Sequence, residues 1–267
     1  MEETTKVRHW TTSKITVGQV VQTKSGWSGV VKRYIAHDNV VVEWEDGSTQ
    51  RIRSKEAISG AIKPLNQPFV DGIGYFGVGR FVPESYKHGE KPPKGLYGYW
   101  VRMFSRCYNP TELNKERNAG YRKVFVSEEF HCFQRFAQWA LSQSNFRDGL
   151  TLDKDLLGNG LLYSPECCSF LPAEINIFLS DKAGGKHGKG VNEITPKPNT
   201  NDTVGYIARV HYKGVREYLG FFRTPSEAFA AYKTRKEEVA RLLANEYRED
   251  LTEDAYNALM NYVVENT

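Results

Sequence analysis

The last third of the sequence carries a pattern that restricts it to a small sheet packed on one long helix. Apolar and polar residues alternate in three short runs separated by turn residues, 190–194, 204–212 and 215–222. This alternation predicts three strands. Thr224 then supplies an N-cap, followed by a proline and by the capping-box acid Glu227, which predicts a helix through about Tyr247. The sheet is therefore expected to bury one face against this helix and to leave the other exposed.

The first part of the sequence also alternates apolar and polar residues, in the stretch ITVGQVVQTKSGWSGVVKRYIAHDNVVVEWEDGSTQRIRSKEAI. Turn signals at SG, HDN and EDG predict short antiparallel strands that form a small β-barrel over about 15–62. Barrels of this size bind many kinds of ligand, so the barrel assigns no function. In the glycine-rich stretch that follows, Gly72, Gly74 and Gly77 spell GxGxxG. No helix opens after the third glycine, so we expect a connector and not a dinucleotide site.

The middle of the chain turns helical. Trp100, Met103 and Phe104 fall on one face of a first helix, and Ser127 offers an N-cap to a second, EEFHCFQRFAQWALSQ. The aromatic residues at helical spacing predict a supporting core. For the 267 residues we therefore expect an α+β protein with several segments. These are a β-barrel at 1–66, a connector at 67–96, a ββα unit with supporting helices at 97–182, and a sheet with helices at 183–267.

Residues 151–176, TLDKDLLGNGLLYSPECCSFLPAEIN, combine the elements of a small chemical site. TLDKDLL predicts a strand, GNG a tight turn, LLY a returning segment, SFL another short strand, and Pro172 opens a helix. Asp153 on the strand and Asn176 on the helix both carry oxygen ligands, which suit a hard cation such as Mg²⁺ or Mn²⁺. Asp155 is a further candidate ligand. A cation there would stabilise the leaving oxygen of a phosphodiester.

Three segments in this order resemble a phage-encoded group related to HNH homing endonucleases: WVRMFSRCYNP, VFVSEEFHCFQRFAQW and LDKDLLGNGLLYSPECCSFLPAEIN. The resemblance covers roughly residues 72–180. It implies a ββα-metal fold that cleaves double-stranded DNA, with Asp153 and Asn176 as metal ligands. Lys154 falls at the position of the general-base histidine and Cys167 at that of the middle asparagine. These two departures bear directly on whether the site is active.

Lys154 cannot replace a histidine base in its ordinary state, because the pKa of a lysine side chain is about 10.4 and the group is a cation at neutral pH. Contact with phosphate, or stabilisation of developing negative charge, is the role that its charge favours. Strand alternation turns Asp153 and Asp155 away from Lys154. Three interpretations stay open: a metal-dependent endonuclease, an inactive descendant that only binds DNA as an accessory or regulatory protein, and a protein that docks on a host or phage partner.

The C-terminal segment GKGVNEI…VGYIARVHYKGVREYLGFFRTPSEAFAAYKTRKEEV is similar to the DNA-binding domain of plant ethylene-response factors of the APETALA type. The resemblance implies a three-stranded sheet whose outward side chains contact the major groove. The positions that match outward residues are Asn192, Ile194, Arg209, His211, Arg216 and Tyr218. Asn192 and Ile194 stand where the family has arginines, so its base preference does not transfer. Ala208, Val210, Leu219 and either Phe221 or Phe222 are expected to face the helix.

Hydropathy favours a cytoplasmic protein, in a host cell if the chain is phage-encoded, but the net charge of +4 is too small by itself to identify a partner. Basic residues outnumber acidic ones between Lys182 and Arg216, and charge alone fits equally a surface that neutralises phosphates and an ordinary solvated surface. No apolar run approaches the roughly 20 residues of a membrane helix, and the start lacks the apolar core of a signal peptide. The pattern specifies neither a target sequence nor an oligomeric state.

Overall fold

The computed structural model describes residues 15–86, 89–180, 184–185, 188–194 and 204–265. The protein is a mixed α+β structure with several sheets, which confirms the expected fold class. Its contacts divide it into two compact units. The first contains the described residues up to Pro92 together with Cys132–Gln134, and the second contains Pro93–His131 and the described residues from Arg135 onward.

The first unit is built on an antiparallel four-stranded sheet with the strands in sequence order. The strands are β1 (Val20–Gln22), β2 (Ser28–Ala36), β3 (Asn39–Trp44) and β4 (Thr49–Ile52), and helix α1 follows (Ser54–Ser59). Alternate residues of the strands, such as Val40 and Val42, are fully buried, as the two-residue period predicts. Among the described residues β1 and β4 remain the two edges, so the expected closure into a barrel is not seen.

The glycine-rich connector packs within the first unit and contains no helix in its described part, 67–86 and 89–92. Buried Gln50 of β4 ties it to the sheet, because its side-chain amide donates to the hydroxyl of Tyr86 while its Oε1 accepts from Trp44 Nε1 at 2.9 Å. The GxGxxG letters therefore lie in a turn-rich segment, in agreement with the sequence.

The second unit begins with helices that enclose an aromatic core. These are α2 (Leu96–Tyr108), α3 (Pro110–Leu113), a 3-10 helix (Glu116–Lys123), α4 (Glu128–His131) and α5 (Phe133–Ser142). Trp100 is fully buried and donates from Nε1 to the carbonyl of Phe130 at 2.7 Å. Phe136, Ala137 and Ala140 are also fully buried, which confirms their predicted core role.

Short strands follow in two pairs. β5 (Phe125–Val126) pairs in parallel with β7 (Leu162–Tyr163), and β6 (Thr151–Asp153) pairs antiparallel with β8 (Ser169–Leu171), before helix α6 (Ala173–Leu179). The expected hairpin between TLDKDLL and LLY is therefore wrong, since LLY pairs with β5. The first strand is also shorter than expected because the chain turns immediately after Asp153.

The C-terminal sheet has three strands in sequence order and packs on a long helix, as predicted. A small hairpin precedes it, β9 (Gly184–Gly185) and β10 (Gly188–Lys189). The sheet consists of β11 (Val191–Ile194), β12 (Gly205–Tyr212) and β13 (Val215–Phe222), and is followed by α7 (Pro225–Glu246), a 3-10 turn (Arg248–Asp250) and α8 (Glu253–Met260). Thr224 and Glu227 form the expected capping box.

One hydrophobic core joins α6 to the C-terminal sheet and α7. Leu171, Ile175 and Phe178 belong to the same buried cluster as Val210 and Leu243. Lys236 of α7 adds a polar tie, because its buried ammonium donates to the carbonyl of Phe178 at 2.7 Å and lies 3.9 Å from the centre of that ring. The ββα segment and the C-terminal sheet thus lie in one compact unit, whereas the sequence-based boundary at 182 remains a prediction.

Candidate functional site

The face of the C-terminal sheet that points away from α7 carries the residues expected to contact nucleic acid. Arg209 pairs directly with Tyr218, and His211 with Arg216, so these four side chains share one face. Between them, Val210 pairs with Glu217 on the opposite face. Val210 is fully buried and Glu217 binds Arg235 of α7 at 2.9 Å, which fixes that face as the inner one. We call the other face the outward face.

A β-bulge decides which of two phenylalanines is buried. The register shifts between Ala208 and Arg209, so that Ala208 pairs with Gly220 while Arg209 pairs with Tyr218. Phe222 consequently packs against the core cluster, and Phe221 points outward with half of its surface exposed. The Phe221 ring lies across Gly205, where an added Cβ would approach Cζ to 2.0 Å. The sequence left these two residues as alternatives, because alternation alone does not reveal a bulge.

The tight turn between β12 and β13 sets the register of the outward face. Lys213 and Gly214 both have positive φ, +50° and +73°, as a two-residue hairpin turn with the twist of the strands requires. Lys213 binds Glu246 at 2.6 Å and is not an independent cation of this face. The turn places His211 directly opposite Arg216.

The two arginines of the outward face have no acidic partner among the residues that the structure describes. Within the described part of the chain, neither Arg209 nor Arg216 forms an ion pair or a side-chain hydrogen bond. Asn192 and Ile194 of β11 lie on the same face and are exposed. Of the basic run expected to neutralise phosphates, Lys182, Lys186 and Lys197 lie outside the described residues.

Asp153 lies at the end of β6 and is almost fully buried, with 3% of its surface exposed. Its Oδ1 accepts the backbone N–H of Asp155 at 3.0 Å and that of Leu156 at 2.9 Å. Burial raises the pKa of this carboxyl, because the ionised form loses hydration, and the N–H of Leu156 partly offsets this effect. Asp153 therefore ends the strand and stabilises the turn that follows.

Lys154 is also buried, and its ammonium is held on several sides. It donates to Asp155 Oδ1 at 2.8 Å and lies 5.3 Å from the ring centre of Tyr121 and 5.8 Å from that of Tyr163. The expectation that strand alternation separates Lys154 from Asp155 is wrong. Both residues follow the end of β6 and lie in a turn, where the alternation of a strand no longer applies.

Asn176 lies on α6, a helix that contacts β6, and its side chain is half-buried. The structure thus brings the elements that carry Asp153 and Asn176 together. The described residues contain no group of three or more His, Cys, Asp or Glu side chains able to hold a metal ion. Mg²⁺ commonly keeps several waters and takes one or two carboxylates together with substrate phosphate, so one carboxylate and one amide fit that ion and not a closed zinc site.

Tyr121 and Tyr163 flank Lys154, Arg106 contacts both tyrosines, and none of the three was expected as a site residue. The half-buried Arg106 donates to Tyr163, and its guanidinium lies 5.8 Å from the ring centre of Tyr121. Burial raises the pKa of Tyr163 well above its usual range. A buried lysine requires such partners, but the residues lie in three separate segments, and no sequence spacing links them.

Comparisons with protein-family models, with curated proteins and with solved structures find no match for this chain. No helix in the described ranges is long and apolar enough to cross a membrane. Function must therefore be inferred from the arrangement of the residues themselves.

Proposed function

We propose that this protein binds double-stranded DNA through the outward face of the C-terminal sheet. The observation that carries the proposal is the position of Arg209, His211 and Arg216 on one face, where Arg216 is exposed and the other two are half-buried, with neither guanidinium paired to an acid in the described residues. Arginines without acidic partners can neutralise DNA phosphates, and the counterions released from the DNA make binding more favourable. An arginine on a strand also reaches a guanine edge in the major groove, which is a known docking mode of sheets.

The test is a titration of fluorescent duplex DNA at several salt concentrations. We expect the wild-type affinity to fall steeply with salt, and the slope of log K against log salt to decrease by about one for each lost phosphate contact in Arg209→Ala or Arg216→Ala. Arg241→Ala is the matched control, since Arg241 is an exposed arginine of α7, the helix that covers the inner face. An equal loss of DNA affinity in Arg209→Ala, Arg216→Ala and Arg241→Ala would refute binding through the outward face.

We propose in addition that the β6–β8–α6 unit hydrolyses DNA phosphodiester bonds with Mg²⁺ or Mn²⁺. The favouring observation is that two antiparallel strands are followed by a helix that contacts the first of them, with Asp153 and Asn176 on the contacting elements. Asp153 and Asn176 would hold the ion, with Asp155 as the further candidate. When bound, the cation supplies Lewis-acid stabilisation of the leaving oxygen. Lys154 contributes a positive charge and not a base, because its ammonium donates to Asp155.

The alternative is a protein that binds DNA without cutting it. This interpretation is favoured by the structural roles of the same side chains, since Asp153 accepts two backbone N–H groups and Lys154 is buried against Asp155. It keeps the outward face as the functional surface and treats the ββα unit as a scaffold.

Supercoiled plasmid DNA incubated with Mg²⁺ or Mn²⁺ distinguishes the two proposals. If the protein is an endonuclease, we expect nicking or linearisation by the wild type, loss of at least about a hundredfold in rate for Asp153→Asn, and no loss for Glu166→Gln, an exposed acid in the same segment. DNA binding measured in chelator should be the same for all three proteins. Plasmid left intact by well-folded wild type, or equal cutting by Asp153→Asn, would leave the binding protein as the conclusion.

A further inference from the structure

We infer that the outward face reads two kinds of base pair, an A·T pair beside β11 and a G·C pair beside the β12–β13 turn. This inference rests on the proposed binding of duplex DNA and concerns which bases are preferred. It follows from an unequal distribution of side chains along the outward face, which has an apolar half and a cationic half.

The apolar half lies around the middle of β11. Asn192 pairs with Ile207, and Ile207 pairs with Phe221, so these three residues form one transverse row. Ile194 stands one row away, opposite Gly205, with 40% of its surface exposed. Asn192 supplies the only polar side chain among these residues, so this half offers one amide together with exposed apolar surface.

The cationic half lies at the other end of the strands. Arg209 and Tyr218 form one row, and His211 and Arg216 form the next, beside the turn. Four residues of β12 separate the row of Ile207 from that of His211, which corresponds to about 13 Å at roughly 3.3 Å per residue. Successive bases along one DNA strand lie about 3.4 Å apart. If β12 runs along the major groove, the two contacted base pairs would thus be about four base-pair steps apart.

The chemistry of each half selects a different base pair. An asparagine amide matches the N6 and N7 atoms of adenine, and an apolar side chain contacts the thymine methyl group. An arginine matches O6 and N7 of guanine. A surface that only neutralised phosphates would carry charge in both halves, whereas Asn192, Ile194 and Phe221 add no charge. The continuity of the apolar half with Arg209 and Tyr218 across adjacent rows favours the same duplex as the occupant of both halves.

The experiment is selection of bound duplexes from a randomised library with the full chain in chelator, followed by sequencing and by titration of the enriched duplex. We expect an A·T pair and a G·C pair at a fixed separation of about four steps. Asn192→Ala should relax only the A·T position and Arg216→Ala only the G·C position, each reducing discrimination by about 5- to 100-fold. Ile194→Ala should relax the A·T position by about two- to fivefold, because only the contact with the thymine methyl group is lost. Thermal unfolding checks that the variants fold.

A second measurement alters the DNA and can be made with the wild-type protein, so its result does not depend on the folding of a variant. Replacing the selected thymine by deoxyuridine removes only its methyl group, so wild-type affinity should fall about two- to fivefold while that of Ile194→Ala should not change. Enrichment of a G·C pair alone, with no effect of deoxyuridine, would overturn the inference and indicate that the apolar half serves a protein partner. Absence of any salt-dependent duplex binding would instead refute the proposed function, and the inference with it.

Discussion

At the scale of single residues, Asp153 shows how far sequence reasoning reaches into the candidate site. Its position on a strand follows from the pattern of TLDKDLL, and its suitability as an oxygen ligand follows from its chemistry, but the end of the strand at Asp153 was not predicted. Its burial and its two backbone N–H partners do not follow, because the turn that supplies them depends on how the chain leaves β6. The pairing of Lys154 with Asp155 has the same origin.

The raised pKa of Asp153 predicts a pH-dependent stability. The unfolded carboxyl, with a pKa of about 3.9, releases its proton at lower pH than the folded one, so ionisation favours the unfolded state as pH rises. Asp153→Asn keeps an oxygen for both N–H groups and carries no charge. We expect this variant to unfold at a higher temperature than wild type at pH 7, and the difference to vanish as pH falls below about 4.

The measurement is calorimetry of wild type, Asp153→Asn and Glu166→Gln between pH 3.5 and pH 7.5. Glu166 is exposed in the same segment and controls for the general effect of removing one negative charge. If Asp153→Asn is less stable than wild type at pH 7, burial of the ionised Asp153 carboxyl does not destabilise the folded protein, and the prediction is wrong.

The ion pair of Lys154 and Asp155 predicts an energetic coupling. Asp155→Asn removes the carboxylate beside a buried ammonium, whereas in a Lys154→Met background that ammonium is absent. Because about half of the Asp155 side chain is exposed, solvent screens the pair, and we expect the coupling to be about 1 kcal/mol. Urea unfolding of wild type, both single variants and the double variant measures it. Strictly additive effects would show that the pair contributes nothing to stability.

At the scale of elements, the C-terminal sheet and α7 were predicted nearly in full, and the pairing of the short strands was not. Local patterns determine where β12, β13 and α7 begin and end, since alternation, turn residues and capping are all properties of neighbouring residues. The β6–β8 and β5–β7 pairs join residues 16 to 37 positions apart, and two- or three-residue strands carry too little pattern to specify a partner. The four-stranded sheet was expected to close into a barrel, but alternation and turn residues predict only neighbouring strands and not whether the first and last strands pair.

Removing the capping box of α7 is predicted to lower the free energy of unfolding by a measurable amount. Thr224 Oγ1 accepts the N–H of Glu227 at 3.3 Å, and Glu227 Oε2 accepts the N–H of Thr224 at 3.2 Å. Thr224→Ala should lower the free energy of unfolding by about 1 kcal/mol, while Thr224→Ser, which keeps the hydroxyl, should cost much less. Urea titration followed by helical circular dichroism checks this. Equal losses in the two variants would mean that the hydroxyl does not cap the helix.

At the scale of the molecule, the buried cluster that joins α6 to β12 and α7 predicts that the ββα segment and the C-terminal sheet unfold together. Lys236→Met removes the donor to Phe178 and leaves a buried carbonyl with one partner fewer, at a cost of about 1–3 kcal/mol. Hydrogen exchange should show equal losses of protection in β6, β8, β12 and α7, and no such loss in Arg241→Met, a change at an exposed position of the same helix.

Protection lost from α7 alone, with β6 and β8 unaffected, would show that the two segments fold independently. The local patterns of the sequence contain no signal for this joint core, because Phe178 and Lys236 are separated by 58 residues and a buried lysine is the exception in a core.

The contact between the Lys236 ammonium of α7 and the end of α6 has a consequence for the proposed function. A buried cation holds α6 to α7 within one core, so if the sheet binds DNA and Asp153 holds the catalytic ion as proposed, the bound bases and the cleaved phosphate would keep a constant separation. Cleavage by this protein would then occur at one set distance from the recognised bases, and lengthening the DNA between them would abolish cutting without weakening binding.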